Sequence, residues 1–183
     1  MKNIRNVYAM KKKRIALMTL LMFVVTGVSA GNSLLKETDI EAVALKVVKE
    51  VREGGYTLLS VAELKQMIEA KEDFVLIDAH PTEEYNLAYI EGARHFGFQS
   101  SYSGDWQKDV AMPNNPTQED YRKVLGVDKN KKIVIYCGFT KCGRSHNAAS
   151  WAKKLGYTHL YRAIGGISAW IDAGYSYKTN LNK

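Results

Sequence analysis

The chain's two cysteines, Cys137 and Cys142, both fall in the stretch YCGFTKCGRSH, residues 136–146. This stretch joins an apolar run, Lys131 to Cys137, to a helical pattern in which Ala148, Trp151, Ala152 and Leu155 recur at i, i+3, i+4 and i+7. A glycine-bearing loop between a buried strand and a helix amino terminus aims several backbone N–H groups at one point, beside the positive end of the helix dipole. Such a nest holds anions. A cysteine at its rim gains the same stabilisation for its thiolate, the form that attacks electrophilic sulfur. Lys141 and Arg144 add cations at the same place, which suits a small substrate bearing an oxyanion. Plainer readings stay open beside this one: Cys137 as a buried structural thiol, Lys141 as a solubilising loop residue, and His146 as a surface side chain. Arg144 could also be a solvated first-turn residue, but a cation there opposes the helix dipole, which a bound anion explains better.

The elements that must position this loop are legible from periodicity and punctuation. An amphipathic helix is expected from Glu37 to Arg52, with Ala44, Val47, Val48 and Val51 on its apolar stripe and Gly54-Gly55 as its stop. Tyr56 to Ser60 reads as a short strand. Ser60 and Glu63 form a capping box for a helix through about Ala70, with Val61, Leu64 and Ile68 inward. Asp73 to Ala79 is a continuous apolar run, as in a strand covered on both faces. Pro81 and Thr82 open a short helix, Gly92 turns the chain into a strand near Arg94 to Phe98, and residues 99–116 read as an irregular surface excursion. A helix from Thr117 to Leu125 follows. The buried strand ending at Cys137, the helix closed by Gly156, a last strand from Thr158 to Ile164 and a final helix from Ile167 to Asp172 complete the chain. Strands alternating with helices predict a parallel sheet covered on both faces. Ligands on such sheets bind beyond the carboxyl ends of the strands, and Cys137 lies at one of those ends.

The first thirty residues predict a secretory signal peptide: a basic segment ending in Lys11, Lys12, Lys13 and Arg14, an apolar run from Ile15 to Val25, and Val28-Ser29-Ala30 before the cut. That run falls short of the about 20 residues a spanning helix needs, so no stable membrane insertion is expected after cleavage. The export implied is to the periplasm, or to the exterior where there is no outer membrane. The segment holds six of the 26 Lys and Arg and none of the 19 Asp and Glu, which leaves 20 basic against 19 acidic residues, a formal +1. The basicity of the whole chain is therefore a targeting property, and no nucleic-acid partner is implied. The 153 residues after the cut are one domain's worth. Two cysteines are too few to staple it, and the histidines at 80, 95, 146 and 159 show no metal-ligand spacing with them.

Three stretches resemble the rhodanese family. FVLIDAHPTEEYNLAYIEGARHF (74–96) is similar to its first signature, with an Asp at a strand end followed by Glu-Tyr and Ile-x-Gly-Ala. IVIYCGFTKCGRSHNAASWAKKLGY (133–157) is similar to the catalytic segment, and LYRAIGGISAWIDAGY (160–175) to the closing one, through Gly165-Gly166, Trp170 and Gly174. The resemblance spans about Tyr56 to Tyr175. It implies an α/β fold with a central five-stranded parallel sheet and helices on both faces, and a sulfurtransferase working without a cofactor. In that reading, Cys137 takes the sulfane sulfur of thiosulfate or another small anionic donor as a persulfide and passes it to a thiol or cyanide acceptor. Arg144, Lys141 and the loop around Gly138, Gly143 and Ser145 would bind the donor, Asp78 would fix local geometry, and Cys142 would support Cys137. The departures are a loop two residues longer than is usual, Arg144 following Cys137 by seven, together with His80 in a common arginine position and Ala88-Tyr89 for a common Gly-His. Thiol redox work by Cys137 and Cys142, a non-catalytic sulfur-carrier module, and a phosphatase or arsenate reductase built on a similar cysteine cradle are the competing readings. The domain plan is a signal peptide (1–30), an N-terminal accessory helix (31–55), a rhodanese-like domain (56–177) and a C-terminal tail (178–183).

Overall fold

The apolar runs that end at Asp78 and Cys137 become the two central strands of a sheet, with every residue of both strands buried. The computed structural model describes residues 36–181, and the expected signal peptide lies outside them. By internal contacts the chain divides into Met1–Asp39 and Ile40–Lys183, and the fold is that of the second unit. In chain order the elements are α1 (Glu37–Gly54), β1 (Thr57–Leu59), α2 (Val61–Glu69), β2 (Val75–Asp78), α3 (Thr82–Leu87), β3 (Arg94–His95), α4 (Trp106–Asp109), α5 (Gln118–Leu125), β4 (Ile133–Tyr136), α6 (Arg144–Lys154), β5 (Leu160–Ala163) and α7 (Gly166–Asp172). The five strands pair in the order β1-β5-β4-β2-β3, all parallel, as expected.

Alternate side chains on each strand feed opposite faces. Val75, Ile77, Ile133 and Ile135 pack with Ala148, Ala149, Trp151 and Ala152 of α6 and with Tyr121 and Leu125 of α5. Leu76, Val134, Tyr136 and Ala163 pack against Leu64 and Met67 of α2 and Ile167 and Trp170 of α7. Local signals set the helix ends. Ser60 and Glu63 make the capping box that starts α2, and Thr117 with Asp120 makes a second one for α5. Gly55, at φ +63°, supplies the left-handed residue that ends α1. The register sets Asp78 beside Tyr136, so the ends of β2 and β4 deliver Asp78 and Cys137 to the same rim of the sheet.

Two segments are more ordered than their composition suggests. Residues 99–116 contain the short helix α4, and Trp106 enters a buried aromatic cluster with Phe96, Phe98, Tyr121 and Trp151. Asp109, fully buried, holds the excursion together. Its carboxylate accepts from Ser103 N (2.8 Å), Ser103 Oγ (2.7 Å), Gly104 N (2.9 Å) and Trp151 Nε1 (2.9 Å). The C-terminal residues are also tied down. Lys178 pairs with Tyr89 in an antiparallel bridge, and Asn180 N donates to Asn86 O at 2.9 Å.

Replacing Asp109 by Ala strands four donors and is expected to destabilise the fold by about 3 kcal/mol, since hydrogen bonds to a charged group are the stronger kind and are not additive. Urea titration of the variant measures this. A loss under about 0.5 kcal/mol, the range of ordinary surface substitutions, would show that the excursion is held by Trp106 packing alone.

Candidate functional site

The loop from Cys137 to Gly143 leaves β4 and re-enters the fold as α6, and its neighbours hold its main chain in place. Ile167 N donates to Cys137 O at 2.8 Å and Ser168 N to Gly138 O at 2.9 Å, so the start of α7 lies directly against the loop. That approach requires Gly166. A Cβ at this position, where φ is +61°, would collide with the Cys137 carbonyl. On the other side Gly143 packs against the Ser100 carbonyl, and within the loop Cys142 N donates to Phe139 O at 2.9 Å, folding the chain back over itself.

Beneath the loop lies Arg162 of β5, at 0 % exposure. Its guanidinium donates to Cys142 O (Nη2, 2.6 Å), Ser145 Oγ (Nε, 2.7 Å), Glu50 Oε2 (Nη1, 2.6 Å) and Tyr56 Oη (Nη1, 3.0 Å). One cation thus joins the loop, the first turn of α6, helix α1 and the residue before β1. Ser145 Oγ, already accepting from Arg162, lies 3.1 Å from Cys137 Sγ with its own proton free to donate there.

Both cysteines lie in this cradle, reduced and buried. Cys137 is 2 % exposed and its S–H reaches Cys142 O at 3.5 Å. Burial, followed by the hydrogen bond and charge of Cys142, pushes its thiol well above the ordinary range, with Ser145 opposing. Cys142 is 5 % exposed and differently surrounded. It receives the Cys137 thiol as a donor, then, against burial, the backbone N–H groups of Arg144 and Gly138, with Arg144 Nη1 3.9 Å away. These hold it below the usual thiol range. The surroundings of Cys142 thus favour a thiolate, and the burial of Cys137 favours its thiol.

The expected binding residues divide. Ser145 and the amide of Gly138 face the sulfurs, whereas Gly143 serves packing. Arg144 stands beside Cys142 but is engaged by Glu84 of α3, at 3.1 Å (Nη1–Oε2) and 2.9 Å (Nη2–Oε1). Lys141 is exposed, and its carbonyl accepts from Lys46 Nζ at 2.6 Å. Asp78 binds His80 through both the backbone N (2.9 Å) and Nδ1 (2.8 Å), while His80 Nε2 faces Gly138 and lies 3.7 Å from Glu84 Oε2. Burial lowers the His80 pKa, but the hydrogen bond and charge of Asp78, then Glu84 and Cys142, outweigh it and the net shift is upward. Glu50, Glu84 and Arg162 were not anticipated. The one sequence signal was Arg162 itself, a charge within the otherwise uncharged strand Leu160–Ala163.

Residues 60–173 match the family model of the rhodanese-like domain. The chain belongs to that family. Among its curated relatives, the thiosulfate sulfurtransferase GlpE of Shewanella oneidensis is 27 % identical over 120 residues, covering 66 % of this chain and 97 % of the relative. The tRNA uridine(34) hydroxylase of Erwinia tasmaniensis is 30 % identical over 115 residues, 62 % of this chain but only 27 % of that protein's length. The fold is shared with BH2092 of Bacillus halodurans (TM-score 0.54, 21 % identity, 75 % of this chain and 88 % of that one). It is shared as well with the polysulfide-sulfur transferase homodimer of Wolinella succinogenes (TM-score 0.52, 15 % identity, 80 % and 93 %). In this rhodanese-like domain two of the four partners of Arg162, Glu50 and Tyr56, lie ahead of the matched segment. Helix α1 is therefore part of the site's support.

The Asp78–His80 pair gives a pH prediction. Because the folded pKa of His80 is raised, its contribution to stability is complete below the unfolded value of about 6.5 and is lost as pH rises through the folded value. In an NMR titration His80 is expected to titrate above free histidine, and in Asp78→Asn to fall below it as burial dominates. An unchanged midpoint in the variant would remove Asp78 as the cause.

Proposed function

We propose that this rhodanese-like domain moves sulfane sulfur from thiosulfate or a related small anionic donor to a thiol or cyanide acceptor through a cysteine persulfide. The observation that carries the reading is the reduced cysteine pair at the end of β4, one sulfur of which gathers two amides, a neighbouring thiol and a guanidinium around a negative charge. Sulfur transfer needs such a group twice: a thiolate to attack the donor's outer sulfur, and fixed donors to stabilise the persulfide anion that results. The names of the Shewanella and Wolinella relatives agree with this chemistry.

The sequence pointed to Cys137 as the carrier because it directly ends the strand. The surroundings of the two sulfurs favour Cys142 for the first attack, since the groups that lower a thiol pKa converge on it while burial raises that of Cys137. Arg144 binds the donor only in competition with the Glu84 carboxylate, so donors with a concentrated oxyanion displace that ion pair and less charged polysulfide chains need not. Lys141 contributes long-range charge at the rim. Export, expected from residues 1–30, belongs to the same proposal and would place the pair in a compartment where sulfur-sulfur bonds persist.

The test is thiocyanate formation from thiosulfate or polysulfide and cyanide by the purified protein, with circular dichroism to verify folding. Cys142→Ser is expected to lower the rate by on the order of 10³-fold or more, as removal of a nucleophile does. If Cys142→Ser keeps the wild-type rate and Cys137→Ser loses it, the carrier is Cys137. If the wild-type protein forms no thiocyanate from either donor, sulfurtransfer itself is wrong.

A further inference from the structure

We infer that the preferred donor of this site is an organic persulfide, a sulfane sulfur carried on a thiol, and that Glu84 and His80 set this preference over thiosulfate. This rests on the sulfurtransferase reading and narrows its donor. It holds whichever loop cysteine takes up the sulfur.

The cations around the loop already have partners. Both terminal nitrogens of Arg144 are held by the Glu84 carboxylate, Nη1 at 3.1 Å and Nη2 at 2.9 Å, and its Nε is buried. A carboxylate so placed fills the two-pronged seat that an oxyanion needs. Arg162 is fully buried and occupied by acceptors of its own chain. Lys46 serves the Lys141 carbonyl (2.6 Å) and Glu50 (3.4 Å), and Lys141 is an exposed point charge. Thiosulfate must therefore expel Glu84 to find a fork for its oxygens. A persulfide has no oxyanion at its reacting end and meets no such competitor.

The second observation concerns a proton. When a persulfide hands on its outer sulfur, the group that leaves is a thiolate, whose thiol has an ordinary pKa of about 8.5 and which leaves better protonated. Sulfite needs no such help. His80 is arranged to give it. Asp78 Oδ1 accepts from His80 N at 2.9 Å and from Nδ1–H at 2.8 Å, which fixes the ring and its tautomer. Tyr136 of β4 packs edge-on against that ring, and His95 of β3 donates to the His80 carbonyl at 2.8 Å. Nε2 is thereby turned to the loop: a Cβ on Gly138, the residue after Cys137, would lie 3.3 Å from it. On its other side the partly exposed Glu84 carboxylate stands 3.7 Å away, and with Asp78 it favours the cationic ring. An arginine, common at this position by the family resemblance, would keep the charge and could not give the proton.

The steps balance. The loop thiolate attacks the outer sulfur of the donor. The bond between cysteine sulfur and outer sulfur forms, the sulfur–sulfur bond of the donor breaks, and its pair stays on the inner sulfur. That thiolate takes the Nε2 proton of His80 and leaves as a thiol. The new cysteine persulfide ionises and returns one proton to His80. The sulfane sulfur keeps its oxidation state, so no oxidant or reductant enters.

The experiment follows loading of the reduced full chain, anaerobically, by the rate of the about 32 Da gain that cyanide removes. Two donors are compared, thiosulfate and the persulfide of 2-mercaptoethanol, whose body is uncharged. The wild type is expected to load at least about tenfold faster from the persulfide, the effect of one charge-assisted contact. Glu84→Gln, with Glu84→Ala as a second variant, is expected to lower the persulfide-to-thiosulfate ratio about tenfold by tightening thiosulfate binding. His80→Gln is expected to lower the same ratio about 10²-fold by slowing persulfide loading, the usual effect of losing a general acid. His80→Arg repeats that arm should the glutamine disturb the fold. A wild type that loads faster from thiosulfate overturns the inference and leaves sulfurtransfer standing, as does a ratio that the substitutions at either position leave unmoved. If neither donor loads the protein, the sulfurtransferase reading falls together with it.

Discussion

A guanidinium with no exposure to solvent organises this protein. Arg162 cannot shed its proton, so its burial is tolerable only with every neighbouring acceptor in place. Those acceptors come from places far apart in the chain: Glu50 on α1, Tyr56 before β1, the Cys142 carbonyl in the loop and the Ser145 hydroxyl at the start of α6. Removing one partner of such a group leaves an uncompensated charge, typically a loss of about 3–5 kcal/mol. The reactive loop is consequently as fixed as the core beneath it. Its conformation is set by an ion pair across 112 positions of sequence, and only secondarily by its own turn residues.

That rigidity gives two chemically identical side chains different states. Both cysteines are buried in one loop, yet two amides and a guanidinium converge on Cys142, while Cys137 has one hydroxyl and one amide and deeper burial. The two thiols titrate as a coupled pair, and the asymmetry of the cradle favours the thiolate on the Cys142 side. The amino terminus of α6 adds its dipole on the same side. The difference between the two thiols is thus set by fixed groups of the protein, amides and Arg144 at Cys142 and burial at Cys137.

Much of this was legible in the residues, and the remainder was hidden for a physical reason. Apolar runs announced β2 and β4, Ser60 with Glu63 announced α2, and the 148/151/152/155 stripe announced α6, because each signal is local and has the period of the element it forms. The position of the cysteines at a strand end, facing a helix start, was equally plain. The partners were not. Glu84 pairs with Arg144 across 60 positions and Asp109 with Trp151 across 42, and one-dimensional spacing does not record such neighbours. The sequence tells which residue ends the strand, but not that the loop folds back and brings backbone amides to Cys142.

The longer loop is the feature that ties these strands of argument together. Two added residues would ordinarily loosen an anion cradle, because each extra residue must be ordered at an entropic cost of about 1–2 kcal/mol. Here the extension is spanned by its own turn, Cys142 N to Phe139 O, and its far end is pinned where Arg162 meets the Cys142 carbonyl. Both anchors meet at Cys142, one from the Phe139 carbonyl and one from Arg162. The ordering therefore keeps the main chain of Cys142 against the Cys137 sulfur, 3.5 Å from the Cys142 carbonyl. Glu50 completes the arrangement from a helix ahead of the segment that matches the family model, by neutralising the cation on which the anchor depends. The loop and helix α1 thus meet through Arg162, which binds the Cys142 carbonyl on one side and Glu50 on the other.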